Sequence, residues 1–309
     1  MCSDVDGTEA TGCRLVMPNG SLQEVSQQLM HDAGMPIVRG GSRSYEERVI
    51  NPVLFPPPFD RVRLMRPQDI PWVIAEGHAD LGFTGNDLIA ESESGNNVVI
   101  LRKYPLSRGG GSGTNTVLAV PNDSPITAVS QLTAEHEVVT EYPDFTRRWC
   151  DARQLKPKIR RCYGSAESFK GIADAIVDIS ETGRSLRENG WRVIETMLAN
   201  SQLCLVTHPE AYESEQYRQI IVSICLLLDS VMAARERRLI KCNVFANRLD
   251  AVLTVLPAAD KPTISSLAGN GSCAVEAVVP TSQIPELITR LRAAGATAIF
   301  DQPVLHFVP

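Results

Sequence analysis

The chain has 309 residues, 43% of them hydrophobic and 21% charged, with a formal net charge of −6. That length leaves room for two or three domains with real cores, and the acidic balance argues against general nucleic-acid affinity while leaving room for a local anion pocket. Eight cysteines occur without a CxxC pair, which disfavours structural zinc and fits reduced thiols in a cytoplasm; no apolar run is read as long enough to span a membrane.

Residues 1–12 are polar and are expected to be disordered. Arg14 to Met17 reads as a strand, closed by Pro18-Asn19-Gly20-Ser21. Ser21 is expected to cap a helix as a capping box with Glu24, ending at Gly34. Arg39 to Arg48 reads as a loop or irregular hairpin, and the three prolines within Phe55–Phe59 exclude a central strand. Val62 to Met65 is a second strand, followed by Arg66 and a Pro-initiated helix; Ala79 to Phe83 is a third, ending in Thr84-Gly85-Asn86-Asp87. Val98 to Leu101 and Thr116 to Val120 are further strands, with a glycine-rich crossing at Arg108–Thr114 between them. A short helix at Pro125–Leu132, a strand at Glu137–Val139 and a helix at Phe145–Leu155 follow. After a strand at Ile159–Cys162 and strands at Val193–Leu198 and Leu203–Thr207, Glu213 to Lys241 reads as one long helix. Strand–polar turn–helix units repeating in this way imply two α/β lobes facing a cleft: lobe I at about 13–110 and 190–212, lobe II at about 111–189. Cys242 to Phe300 alternates as βαββαβ, a ferredoxin-like module that makes 213–309 a separate regulatory domain.

The stretch most telling for chemistry is GIADAIVDISETGRSL, residues 171–186. A buried apolar element breaks into Ser180, Glu181, Thr182, Gly183, Arg184 and Ser185 before a helix reopens at Leu186. Free backbone N–H groups at a helix start attract anions, glycine lets the backbone approach, hydroxyls donate, and the guanidinium is a fixed cation. The same residues also fit an ordinary loop with a helix cap at Thr182 or Ser185. Asp178, just upstream, suits a sugar hydroxyl or a hydrated magnesium ion. The five histidines stand apart without metal-ligand spacing, and Arg147 and Arg148 fit a solvated helix face.

Five segments in order carry a resemblance: LMRPQDIP (64–71), ADLGFTGNDLI (79–89), TEYPDFTRR (140–148), ADAIVDISETGRSL (173–186) and KPTISSLAG (261–269). Together with the βαββαβ tail ending RAAGATAIF, they closely resemble the long form of ATP phosphoribosyltransferase, the first enzyme of histidine biosynthesis, over residues 13–309. The resemblance implies a two-lobed, type II periplasmic-binding-protein-like catalytic region and an ACT-like C-terminal domain that binds histidine as feedback inhibitor. It also implies magnesium, a dimer or hexamer, and transfer of the phosphoribosyl group of phosphoribosyl pyrophosphate to N1 of ATP. Carried onto this chain, it places Asp178 and Ser180–Ser185 on phosphoribosyl pyrophosphate, and Arg66 and Glu167 in catalysis. Asn19, Gly20, Ser21, Gly85 and Asp87 fall at the nucleotide, and Asn243, Ser265, Leu267, Ala268 and Gly269 at the effector. No protein ligand to metal is implied.

Three departures matter. The family's first turn carries a lysine where this chain has Pro18-Asn19-Gly20-Ser21-Leu22 without a cation. Only Ser168, Phe169 and Lys170 separate Glu167 from Gly171, two residues fewer than usual, which leaves the placement of Glu167 open and suggests Lys170 as the replacement cation. Serine replaces threonine at 185, keeping the hydroxyl. Beside a working ATP phosphoribosyltransferase stand a paralogue using another nucleophile in specialised metabolism and a non-catalytic regulatory subunit.

Overall fold

The computed structural model describes residues 12–39, 46–49, 59–106, 113–257, 261–269 and 271–309. The expected disordered start, the prolines near 56 and most of the glycine-rich crossing near 110 lie outside these residues. In chain order the first lobe comprises β1 (Cys13–Pro18), α1 (Gln23–Asp32), β2 (Ile37–Arg39), β3 (Glu46–Val49), β4 (Phe59–Met65), α2 (Ile70–Ala75), β5 (Leu81–Gly85), α3 (Asn86–Glu91) and β6 (Val99–Tyr104). The second comprises β7 (Thr114–Pro121), β8 (Glu137–Thr140), α4 (Pro143–Asp151), β9 (Lys158–Arg161), β10 (Ala175–Ser180), α5 (Arg184–Glu188) and β11 (Trp191–Ser201). Then follow β12 (Leu203–Thr207), α6 (Pro209–Glu213), α7 (Glu215–Arg235), β13 (Arg237–Phe245), α8 (Leu249–Val255), β14 (Thr263–Ser266), β15 (Ser272–Pro280), α9 (Ile284–Ala293) and β16 (Thr297–Pro303).

Three sheets organise these elements: β2-β3-β4-β1-β5-β12-β6, β11-β7-β10-β8-β9 and β14-β15-β13-β16. In the first, β1, β4 and β5 run parallel; in the second, β8, β9 and β10 do. The two-lobed α/β architecture read from the sequence is present, but one strand changes lobe. Residues 191–201 pair antiparallel with β7 and extend the second sheet, so the chain returns to the first lobe at Leu203 rather than near 190. That strand belongs there because its partner β7 buries both faces and needs a neighbour on its free edge.

Burial follows the strand period. In β7, Val117 and Ala119 join Ile176, Leu186 and Trp191 on one face, while Leu118 and Val120 join Val138, Ala175 and Val177 on the other. In the first lobe α2 lies directly on the sheet over Gly82, where a Cβ would come within 2.7 Å of Val16 and 2.8 Å of Ile70. Gly82→Ala should therefore overpack this contact and cost about 1–3 kcal/mol of stability. Thermal denaturation checks it, and an unchanged melting temperature would mean that α2 can move aside.

Several local expectations yield to the structure. Ser21 does not cap α1; it lies within a single 3-10 turn, Gly20–Leu22, which feeds the helix, and Gly20 N–H meets Gln23 Oε1 rather than a Ser–Glu box forming. Pro125–Leu132 shrinks to one turn at Val129–Gln131, because Gln131 Oε1 accepts from Thr127 and Ala128 and closes the turn on itself. Arg39–Arg48 resolves toward the hairpin reading, with β2 pairing β3. The long helix ends at Arg235, and Arg237–Lys241 is strand, since alternate burial of Ile240, Cys242 and Val244 outweighs helical continuity.

The chain divides into two compact units, Met1–His31 with Met35–Ser223 and Asp32–Gly34 with Ile224–Pro309. The division falls inside α7 rather than near 212. Helix α7 is 21 residues long with a mean hydropathy of 1.5 over its most apolar window, enough by length and composition to cross a membrane, contrary to the sequence expectation. Its Ile221, Ile224, Cys225, Leu228 and Val231 are buried in protein, while Val222 and Leu226 are exposed. In the second unit α8 and α9 cover one face of the four-stranded sheet, burying Ile240, Val252, Val275, Leu287 and Leu291.

Candidate active site

In an open parallel sheet, ligands gather where strands end and helices begin. In the second lobe that edge carries Thr140–Glu141 at the end of β8, Cys162 just after β9 and Ser180 at the end of β10. Antiparallel register sets Asp178 opposite Val117 and Ile176 opposite Ala119, so Asp178 shares the face of Trp191, Leu186 and Cys162. Burial raises the Asp178 carboxyl to about 6; the Ile179 N–H at 2.7 Å opposes that shift, and the nearby Glu167 and Glu141 charges add to it. Burial, then Glu141 and Asp178, likewise push the Cys162 thiol to about 11, leaving it an inert packing group. Asp178 thus lies within electrostatic range of two further carboxylates.

That loop is the expected Ser180–Ser185 turn. Gly183 stands at φ 70°, the left-handed conformation that glycine adopts without a Cβ clash, and its N–H donates to Ser180 Oγ at 2.8 Å. The bond curls the chain so that the first amides of α5, from Arg184 onward, have no acceptor within the helix. Glu181, Thr182, Arg184 and Ser185 are exposed, and Gly183 is half-buried. The Arg187 guanidinium lies over Gly183, one helical turn away, and adds a cation that the sequence reading passed over; its i+4 spacing was the available signal.

Glu167 is drawn into this turn. Its Oε2 accepts from Ser185 Oγ at 2.8 Å and from Asn189 Nδ2 at 2.6 Å, while its carbonyl accepts from Trp191 Nε1 at 2.9 Å. The shortened segment before Gly171 therefore still delivers Glu167 to the loop, where it holds α5 in place. Lys170 does not supply the missing cation: its ammonium lies beside Gly190, at the far, carbonyl end of α5, where positive charge is favoured.

In the first lobe the register pairs Pro18 with Met65 and Val16 with Gly82, so Asn19, Arg66 and Gly85 leave the sheet at one edge. Asn19 N–H donates to Met65 O at 2.8 Å, and its side-chain oxygen is buried without a hydrogen-bond partner. Gly20 takes φ 80°, Ser21 is exposed, and Arg66 is exposed at the end of β4. Asp87 departs from expectation. It is buried rather than open to a nucleotide, with Oδ2 accepting from Tyr142 and Oδ1 from Ser201, each at 2.8 Å. Gly85 follows from it, because a Cβ there would sit 2.2 Å from Asp87 Oδ1.

In the second unit Asn243 and Ser265 both pair with Ala274 from opposite sides, so they share the sheet face turned away from α8 and α9. Leu267 N–H donates to Ser272 O, and Ala268 and Gly269 follow in the exposed β14–β15 turn, with Gly269 at φ 110°. Among the described residues no group of three or more His, Cys, Asp or Glu side chains is arranged to hold a metal ion.

A turn with helix-start amides, hydroxyls and two guanidinium groups, beside Asp178 and Glu167 on one of two α/β lobes, is the kind of site that holds an anionic substrate. The family model for ATP phosphoribosyltransferase matches residues 66–229, and the model for that family's C-terminal domain matches residues 234–305. The ATP phosphoribosyltransferase of Pelotomaculum thermopropionicum is 36% identical over 298 residues, covering 96% of this chain and 99% of its own length. That of Desulforudis audaxviator is 35% identical over 297 residues, with 96% and 99% covered. Among solved structures, the ATP phosphoribosyl transferase (HisG:HisZ) complex from Thermotoga maritima matches with a TM-score of 0.58 at 25% identity, covering 72% of this chain and 98% of that one. The chain belongs to the ATP phosphoribosyltransferase family.

Proposed function

We propose that this chain joins C1 of phosphoribosyl pyrophosphate to N1 of ATP, releasing pyrophosphate as the first step of histidine biosynthesis in the cytoplasm. The carrying observation is half-buried Asp178 directly before the Ser180–Ser185 turn, with Glu167 hydrogen-bonded to that turn and the Glu141 charge within electrostatic range. The turn's amides, the Thr182 hydroxyl, Arg184 and Arg187 hold the 5-phosphate, and ionised Asp178 accepts from the ribose hydroxyls. The adenine N1 lone pair forms the new C–N bond as the C1–O bond breaks, and pyrophosphate leaves with that bond's electrons. Positive charge that develops on the sugar is met by the Asp178 and Glu141 carboxylates, as in glycoside cleavage. The charge passes to the adenine, which then sheds a proton from its amino group. Glu167 acts by holding Ser185 and Asn189, hence the loop, rather than as a nucleophile. Arg66, with Asn19, Gly20 and Ser21, faces the nucleotide from the first lobe, so that placement and charge compensation supply the rate.

Magnesium arrives with the substrate's pyrophosphate, and the acidic edge favours the metal-bound form. Histidine binds the second unit at Asn243, Ser265 and the Leu267–Gly269 turn, and a homodimer or hexamer is the working assembly. The test is incubation with phosphoribosyl pyrophosphate, magnesium and ATP, following phosphoribosyl-ATP absorbance and pyrophosphate release. Both should appear in equal amounts; pyrophosphate release with a different heterocycle but none with ATP would overturn the assignment of the acceptor.

A further inference from the structure

Two of the matched segments, ADLGFTGNDLI and TEYPDFTRR, meet in the structure, and apart from Glu141 their polar residues have no role in the site as described. Helix α3 of the first lobe docks against the start of α4 in the second. Tyr142 (2% exposed) donates its hydroxyl to Asp87 (4%), and Ser201 (4%), where β11 gives way to the crossing strand, donates to the other carboxylate oxygen. One turn further along α3, Glu91 is also buried, at 9% exposed. Its carboxylate accepts the N–H groups of Asp144 at 3.3 Å and Phe145 at 2.8 Å, and Arg161 Nη2 reaches it at 3.1 Å. It thereby caps a helix of the opposite lobe. The Arg148 guanidinium completes the joint by donating to Ala90 O.

The contacts continue inward. Tyr142 N–H donates to Thr140 Oγ1 at 2.9 Å, and that hydroxyl donates to Val177 O at 2.8 Å. Glu141 sits between the two linked residues, and Asp178 follows Val177. A continuous run of buried hydrogen bonds thus leads from a helix of the first lobe to the backbone carrying the two carboxylates nearest the proposed sugar site.

We propose that Asp87 and Glu91 are positioning residues: from the first lobe they fix the Thr140–Pro143 segment, and with it Glu141 and Asp178, against substrate. The proposal rests on the phosphoribosyl-transfer reading of the site. Because Ser201 joins at the crossing, the same bonds hold the lobes at one angle rather than leaving them free to swing. Phosphoribosyl pyrophosphate is gripped within the second lobe alone, so loss of the latch misplaces the reacting groups without removing the grip.

Tyr142→Phe and Glu91→Gln, each made in the full chain, test this with three readouts. Amide hydrogen exchange without substrate should speed up about tenfold at residues 144–146, since their opening is no longer opposed from α3. Calorimetry with phosphoribosyl pyrophosphate and magnesium should give affinities within about twofold of the parent, while kcat falls about tenfold or more. Unchanged exchange, unchanged kcat, or affinity falling in step with kcat would each overturn the proposal. If the parent makes no phosphoribosyl-ATP, the reaction reading fails, and the exchange measurement still decides whether the latch exists. Should Tyr142→Phe not fold, Ser201→Ala, which removes the other hydroxyl donor to the same carboxylate, takes its place.

Discussion

Asp178→Asn should make the protein more stable and a poorer binder of phosphoribosyl pyrophosphate at the same time. The Asp178 carboxyl is raised from 3.8 to about 6 chiefly because burial disfavours its charge, with Glu167 and Glu141 adding to the effect. A folded-state pKa above the unfolded one contributes stability that is complete below about 3.8 and lost as the pH rises through about 6. At neutral pH the ionised carboxylate therefore works against folding, and a neutral amide of the same shape relieves on the order of 1–2 kcal/mol. The oxygen that accepts Ile179 N–H is retained, and loss of an acceptor for Ala166 N–H offsets part of the gain. Binding moves the other way, because an amide offers neither the charge nor both acceptors to the ribose and its metal, and a charge-assisted bond is worth roughly 1.5–3 kcal/mol. Thermal denaturation and calorimetry at pH 7.5 read both effects. In the parent, affinity should also weaken as the pH drops below about 6. A lower melting temperature for the variant would mean that the carboxylate is structurally satisfied and not held there for substrate.

Gly183→Val should abolish most phosphoribosyl pyrophosphate binding while leaving the fold in place. A β-branched residue at φ 70° is strained by the Cβ–carbonyl clash of the left-handed region, worth about 1–2 kcal/mol, and its Cβ would also approach the Arg187 guanidinium at 2.9 Å. The loop relieves both by leaving that conformation, which breaks the Gly183–Ser180 bond and turns the amides away. The turn is largely exposed, so the rest of the second lobe need not follow. Circular dichroism should match the parent, and binding should fall by about tenfold or more. Binding within twofold of the parent would show that the anion sits elsewhere.

The Ser180–Ser185 turn was legible as a turn because its signal is local: a buried strand, a glycine and hydroxyls before a helix all lie within a dozen residues. The βαββαβ tail was legible for a related reason, since its apolar alternation is regular and its turns short. Trp191–Ser201 was assigned to the wrong lobe because strand order is a long-range property, and nothing in those residues distinguishes one half-buried edge from another. The burial of Asp87 was not legible for a different reason. A polar turn after a parallel strand usually faces ligand, and only the fold shows that Tyr142, 55 positions away in sequence, closes over it. Arg187 escaped notice because its importance depends on a helix start that periodicity alone does not fix. Glu167 was named, but its hydrogen bonds to Ser185 and Asn189 define a supporting job that spacing could not reveal.

The claim beneath all of this is that residues 180–187 close around the 5-phosphate of a ribose whose C1 is then displaced. A crystal structure of the full chain with phosphoribosyl pyrophosphate and magnesium tests it most directly. The phosphate should lie among the amides of that turn with Arg184 or Arg187 against it, and the ribose hydroxyls should meet Asp178. A phosphate seated instead at Asn19–Ser21, with the second-lobe turn empty, would contradict the account.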